Sequence, residues 1–413
     1  MIIGVYMSLN ITKKQVLIDG ILNIIAAALP VVVLQLIIFP IVAQKETETI
    51  YGLMITIYAV FMLIPNICGN SICNVRLVKN SLYEREQLEG DFNVIVVKYG
   101  IINLVIGIII LAYYYRMKDP VGMCLSLIVI LLTFLNAYYE VYFSIKLAFK
   151  NRLYLRVALV AGYFAGMLLY FLLHRWEVVF LCGQICTSCF ILIKSNLYKE
   201  QFVKTSLFKG TDKDCLFLII AGLLASSLDY TDRLILMPIA GAKIVTIYYI
   251  AAVIGKLIVF IIPPIKTLLL SYISHIEQLS RKQMIFIIGG GVILCIAMYL
   301  ICIWISPYVL MILYPQYLQR ALTLVPIVTI AALISGFSSV VQVFVMRYCK
   351  MKWQLIINGF SVGAFFVSSL ILLHLYGIIG FCVGNVIGYL VKLCGMVIVL
   401  LLGYNKTKGM KVQ

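Results

Sequence analysis

Charge is scarce in this chain: Asp, Glu, Lys and Arg together make up 12% of its 413 residues, and histidine occurs three times. Soluble domains carry about a quarter of their residues as charged groups. A water-soluble core of this size is excluded by that deficit, together with a hydrophobic fraction of 63% and a mean hydropathy of +1.08. The phosphate-cradling loop G-x-x-x-x-G-K-[ST] is missing, because Gly255-Lys256-Leu257 lacks both the earlier glycine and the hydroxyl, so ATP is not a direct fuel through this chain. Zinc-protease H-E-x-x-H is missing as well, and His174, His275 and His374 are scattered at expected helix ends, where they read as interfacial side chains. Long loops on the outer side are also absent, as at 45–50 and at the turn near Tyr376-Gly377, which leaves no room for a catalytic domain there. Cysteine, by contrast, is plentiful, with twelve residues that include Cys182, Cys186 and Cys189. No histidine accompanies the C-x-x-C pair, and most thiols fall in apolar stretches, so packing is expected rather than a metal site or a disulfide framework.

Long apolar runs fill the rest. A membrane helix needs about 20 mostly apolar residues, whereas a transmembrane strand alternates with period two, which the run from Ile101 to Tyr115 does not do. The expected fold is therefore an all-α integral membrane protein with spans at 16–43, 51–73, 93–115, 121–145, 153–174, 178–195, 214–240, 244–272, 283–306, 320–346, 353–375 and 377–403. With the N-terminus inside, cytoplasmic loops carry about 22 Lys/Arg and outer loops about 6, the positive-inside bias, which places both termini in the cytoplasm. The formal charge of +17 is then a topology signal and a match to anionic headgroups, with basic residues such as Lys146, Lys150 and Arg152 at helix ends, and not a nucleic-acid footprint. The first stretch is too long for a cleaved signal peptide and carries Asp19 early, so it reads as a retained span. The basic stretch between the sixth and seventh spans divides the chain into an N-terminal six-helix lobe (1–200), a cytoplasmic linker (201–213) and a C-terminal six-helix lobe (214–413). Six is even, so any repeat is parallel.

Ionisable groups inside hydrocarbon cost about 2.5 to 3.5 kcal/mol each on insertion scales, so each one needs a partner or a wet cavity. Helical spacing aligns Asp19, Asn23, Ala26 and Pro30 in the first span, Asn66, Asn70 and Asn74 after Pro65 in the second, and Thr133, Asn136, Glu140 and Ser144 in the fourth. These stripes read either as wettable faces or as interhelical hydrogen bonds. In the seventh span Gly222 and Ala225 lead to Asp229, Asp232 and Arg233, where Asp229 and Arg233 are spaced to pair. Lys256 lies mid-span before Pro263-Pro264, and Lys392 continues the face of Gly380, Gly384 and Gly388, which should turn it into protein. Arg233, Lys256 and Lys392 suit a diphosphate, unless salt bridges to Asp229, Asp232, Asp19 or Glu140 consume them. Lys98, Arg156 and Lys266 lie near cytoplasmic ends, where long side chains reach headgroups.

Asp229-Tyr230-Thr231-Asp232-Arg233-Leu234-Ile235-Leu236, the Gly241 turn and Ile247-Tyr248-Tyr249 together resemble the polysaccharide-exporter branch of the MOP superfamily. Ile262-Pro263-Pro264, Leu313-Tyr314-Pro315 with Tyr317, and Tyr376-Gly377-Ile378-Ile379-Gly380 extend the resemblance over most of the chain. It implies two six-helix lobes around a central cavity and a Wzx-type flippase that moves an undecaprenyl-pyrophosphate-linked oligosaccharide, of O-antigen, capsule or related polysaccharide, across the bacterial cytoplasmic membrane by alternating access. Peptidoglycan lipid II flippases of the superfamily usually carry two further C-terminal helices. The expected partners are the lipid-linked oligosaccharide, membrane lipids and the polysaccharide polymerase machinery. No bond chemistry, metal or cofactor is expected, and the coupling ion, H+ or Na+, stays open. The motif itself brings only Asp232 and Arg233 to the site. Asp229, Lys256, Lys392, Asp19, Asn23, Asn66, Asn70, Glu140 and Lys98 join it as substrate-binding candidates from spacing. A multidrug or cation antiporter of the same superfamily is the alternative, and it typically uses acidic sites where the charges here lean positive.

Overall fold

The computed structural model describes residues 13–146, 148–259, 281–349 and 352–407, with Ile262 and Leu269. Pro263, Pro264, Lys266 and His275 lie outside the described residues, as do the side chains of Asp19 and Asn23. Every long element among the described residues is helical. In chain order these are α1 (Lys13–Val33), a π-helical turn (Leu34–Ile38), α2 (Phe39–Lys45), α3 (Glu48–Glu86), α4 (Asp91–Tyr115), α5 (Pro120–Tyr139), α6 (Val141–Ile145), α7 (Phe149–Leu173) and α8 (Glu177–Lys194). Then follow α9 (Phe208–Ala240), α10 (Ala242–Val259), α11 (Arg281–Leu313), α12 (Leu318–Leu322), α13 (Val325–Tyr348) and α14 (Lys352–Thr407).

Ten of these stretches are long and apolar enough to cross a membrane. One of them, α14, is two spans, because Gly377 sits at φ 61°, ψ −144° inside it and reverses the chain. The second arm packs on the first through its glycines: a Cβ on Gly384 would lie 2.4 Å from Ser369 Cα, and one on Gly388 would lie 2.7 Å from Phe365 Cβ. Described as far as Val259, α10 stands at the place of the eighth expected span, so each of the twelve expected spans meets a helix over its described residues. Their ends differ from expectation. The second runs on to Glu86, the seventh starts at Phe208, the ninth reaches Leu313, and the tenth starts at Val325 behind the short α12. Hydropathy locates the bilayer, and helices continue beyond it wherever polar residues still form intrahelical bonds. Pro65 lies inside the unbroken α3. Pro30 is different, since it withholds an N–H from the carbonyl of Ala26, and the helix widens into the π-turn within the next turn and a half.

The chain forms two compact units: the described part of Met1–Ile38 with Val60–Gly222, and Phe39–Ala59 with Leu223 onward. The hairpin of α2 and the start of α3 is thus part of the second unit. Its attachment there is specific. Gln44 Nε2 donates to Leu313 O at 3.1 Å, Gln316 Nε2 to Ala43 O at 2.8 Å and Thr246 Oγ1 to Glu48 O at 2.7 Å, and Arg320 pairs with Glu48. Phe39, Tyr51, Tyr249 and Tyr314 fill the space beneath, all fully buried. In the first unit the segment after α8 is held against the ends of α3 and α4. Arg76 binds Glu200, Asn93 Nδ2 donates to Glu200 O at 2.7 Å, and Thr205 N donates to Asp91 Oδ1 at 2.6 Å. Ile109, Leu168, Leu172, Ile293 and Phe360 point outward, where lipid replaces water as their solvent.

The α14 turn gives a direct test. A Gly384→Val substitution drives methyl groups into Ser369 and should cost about 1–3 kcal/mol, read as a lowered unfolding temperature in detergent, while Gly363→Val, with open space around it, should change it little.

Candidate functional site

The charges of the second unit gather on three helices. α9 supplies Asp229, Asp232 and Arg233, α10 supplies Tyr248, Tyr249 and Lys256, and the second arm of α14 supplies Asn385, Tyr389 and Lys392. Asp232 and Arg233 are buried, at 2% and 3% exposure, and Asp232 is the hub. Its Oδ1 accepts the backbone N–H of Arg233 at 2.8 Å and lies 3.5 Å from Arg233 Nε. Its Oδ2 accepts from Tyr248 Oη at 2.8 Å and lies 3.7 Å from Lys256 Nζ. Asn385 Nδ2 in turn donates to Tyr248 Oη at 2.9 Å and fixes that ring.

One carboxylate therefore serves two cations, and the cations keep donors to spare. Arg233 Nε and Nη1 and Lys256 Nζ have no hydrogen-bond partner among the described residues. The ring of Tyr249 lies 5.0 Å from the Arg233 guanidinium and 5.3 Å from Lys256 Nζ, so its π-face offsets part of both charges. Lys392 is buried at 5% exposure with no carboxylate within 4.0 Å among the described residues. The expected Asp229–Arg233 side-chain pair does not form. Arg233 Nη2 reaches the backbone carbonyl of Asp229 at 3.3 Å instead, because Tyr389 Oη occupies the Asp229 carboxylate at 2.9 Å and Asp232 draws the guanidinium. Asp229 is otherwise exposed.

The first-unit candidates do not form a comparable cluster. Asn66 and Asn70 bond to each other at 3.0 Å on a face of α3 that remains partly open. The stripe on α5 is not a wettable face, contrary to one expectation. Asn136 Nδ2 donates to Gln184 Oε1 at 2.8 Å, and Glu140 is buried between Arg152 and Arg156 at 2.6 and 2.5 Å. Those bonds tie α5 to α7 and α8. Arg156 thus reaches an acid rather than a headgroup. Lys98, two turns from the start of α4, pairs with Asp212 at 2.6 Å.

Tyr248, Tyr249, Asn385 and Tyr389 complete the cluster and were not singled out as site residues from sequence. Asn385 and Tyr389 precede Lys392 by seven and three residues, so their shared face with that lysine was readable from spacing. The Tyr248 hydroxyl could be placed only by the meeting of α9, α10 and α14.

No family model and no curated protein matches the sequence. Solved structures do match in shape. A lipid II flippase, MurJ, in an inward closed conformation aligns with a TM-score of 0.68 over 95% of this chain and 89% of its own at 13% identity. A MATE transporter in a bent conformation aligns with a TM-score of 0.62 at 14% identity, covering 96% of each chain. The Vibrio cholerae MATE transporter VcmN, also in a bent form, aligns with a TM-score of 0.56 at 12% identity, covering 95% of this chain and 97% of its own. The chain has the MATE/MurJ membrane-transporter fold. At such identities the likeness fixes the fold, and any role for the charged residues has to be argued from the chain itself.

In this MATE/MurJ-type chain the two aspartates should differ sharply in what they support. Asp232→Asn leaves Arg233 and Lys256 buried without a counter-charge and should cost about 3–5 kcal/mol. Asp229→Asn keeps an acceptor for Tyr389 and should cost about 1 kcal/mol or less. Chemical unfolding of the purified variants in detergent compares them.

Proposed function

We propose that the chain is a flippase that carries an undecaprenyl-pyrophosphate-linked oligosaccharide, a repeat unit of O-antigen, capsule or a related surface polysaccharide, from the inner to the outer leaflet of the bacterial cytoplasmic membrane. The observation that carries this reading is the charge imbalance of the second unit. Among the described residues, three basic side chains, Arg233, Lys256 and Lys392, stand against the buried carboxylate of Asp232 and the exposed one of Asp229, with N–H donors of Arg233 and Lys256 unspent. A diphosphate brings the negative charge and the acceptor oxygens that these donors lack. A lipid II flippase is among the proteins that share the fold. In this reading both termini are cytoplasmic, two six-helix lobes rock about bending points at Pro30, Pro65, Pro263 and Pro264, and Asp229, Asn66 and Asn70 meet sugar hydroxyls. Asp19, Asn23, Glu140 and Lys98 belong to the same proposal as gate or positioning groups. The chain moves its substrate without making or breaking bonds, handing it to the polymerase machinery outside, with H+ or Na+ as the coupling ion.

The second reading, a MATE-like multidrug or cation antiporter, is favoured by the shared fold and by the exposed carboxylate of Asp229. The two separate in transport. Lys256→Ala with Lys392→Ala should abolish surface polysaccharide while membrane-inserted protein persists. Full surface polysaccharide in that double variant, or uptake of cationic dyes by vesicles holding the wild type, would turn the reading toward the antiporter.

A further inference from the structure

The first unit holds a cavity of about 550 Å³, apart from the charged cluster of the second unit. It opens where the end of α3, the α3–α4 turn, the α6–α7 turn and the segment after α8 come together, and its volume lies within the about 300–1,000 Å³ of small-molecule sites. Its floor is a bonded network around Arg76. Arg76, 7% exposed, donates to Tyr138 Oη at 2.6 Å, is bidentate to Glu200 and lies 5.0 Å above the ring of Phe92. Only its Nε lacks an acceptor. Gly90 closes one edge at φ 111°, a conformation that side chains rarely adopt, and a Cβ there would lie 2.9 Å from Gln201 O.

The lining decides what fits. Three carboxylates (Glu84, Glu89, Glu200) face two cations (Arg76, Lys146) in a chain whose net charge is +17, so this cavity runs against the charge of the whole and disfavours phosphate. Its acids are also partly engaged, Glu200 by Arg76 and Glu84 by Asn80 Nδ2 at 2.8 Å, which leaves little field for a simple cation. What remains is a mixed rim of side-chain amides, Asn80, Gln87 and Asn196, which both donate and accept, beside an apolar wall of Tyr142, Ile145 and Leu197. A pyranose presents that same pair of surfaces, a C–H face for the aromatic wall and a ring of hydroxyls that donate and accept. We infer that this cavity is a glycan-binding site, selective for neutral or amino-bearing sugars over uronates. That the glycan is the one on the lipid-linked substrate rests on the flippase reading; the binding itself does not.

Saturation-transfer NMR on the full chain in lipid nanodiscs tests it, with maltotriose, chitotriose and chitosan trisaccharide as neutral and amino probes and trigalacturonate as the acidic one. Transfer is expected to at least one of the first three and not to trigalacturonate. Apparent affinity should fall about five-fold or more in Tyr142→Ala and in Asn196→Ala, the latter an exposed position at which folding is not at stake. No transfer to any of the first three probes, equal transfer to trigalacturonate, or transfer that both variants leave unchanged would overturn the assignment. The Lys256→Ala, Lys392→Ala double variant should bind these sugars as the wild type does. Sugar binding retained alongside undiminished surface polysaccharide in that variant would therefore fault the flippase reading alone.

Discussion

The carboxylate of Asp232 is asked to neutralise more charge than it carries, in a place where charge is expensive. Removing an ammonium or guanidinium from water costs several kcal/mol even after relaxation, and attraction to a counter-ion offsets this only when geometry is close. Here Arg233 and Lys256 stand 3.5 and 3.7 Å from opposite oxygens of one carboxylate, beyond direct hydrogen-bond distance. The Tyr249 ring supplies part of the shortfall and Tyr248 holds the carboxylate in place. Lys392 has no carboxylate within 4.0 Å among the described residues. The cluster is held in position with donors of Arg233 and Lys256 left without an acceptor among the described residues, and the proposed anion site rests on that incompleteness.

That contrast is visible inside the same chain. Glu140 in the first unit is closed by Arg152 and Arg156 at 2.6 and 2.5 Å, and Arg76 is closed by Glu200 and Tyr138. Those networks fasten helices to one another and leave few donors over. The second unit is fastened differently, by aromatic packing and by side-chain bonds to the backbone that join the α2–α3 hairpin to the end of α11, to Gln316 and to Thr246 of α10. Its charged groups also join helices, Asp232 to Tyr248 of α10 and Asp229 to Tyr389 of α14, yet those bonds leave donors of Arg233 and Lys256 without an acceptor among the described residues.

Much of this could be read before any coordinates. Runs of apolar residues placed the spans, the eighth over its described part, because a helix that meets lipid must be apolar over about 20 residues wherever it goes. The glycine ladder Gly380, Gly384 and Gly388 announced a close helix contact, and the structure has it, against Ser369 and Phe365. Pairing was less legible. Spacing put Asp229 one turn from Arg233, yet Tyr389, 160 positions away, holds the Asp229 carboxylate. It also aligned Glu140 with a polar stripe without revealing that Arg152 and Arg156 fold back onto it. The cavity beside Arg76 left no trace at all, since Gln87, Tyr142, Lys146 and Asn196 come from separate turns that only the fold brings to one mouth.

The central claim is that the unfinished charge of the second unit awaits a diphosphate. Calorimetric titration of the purified protein with geranylgeranyl diphosphate, a soluble stand-in for the lipid carrier's head, tests this most directly. Saturable binding that weakens about ten-fold or more in Lys392→Ala, the equivalent of one lost charge-assisted bond, agrees with the account. Equal affinity in wild type and variant, or no saturable binding to either, contradicts it.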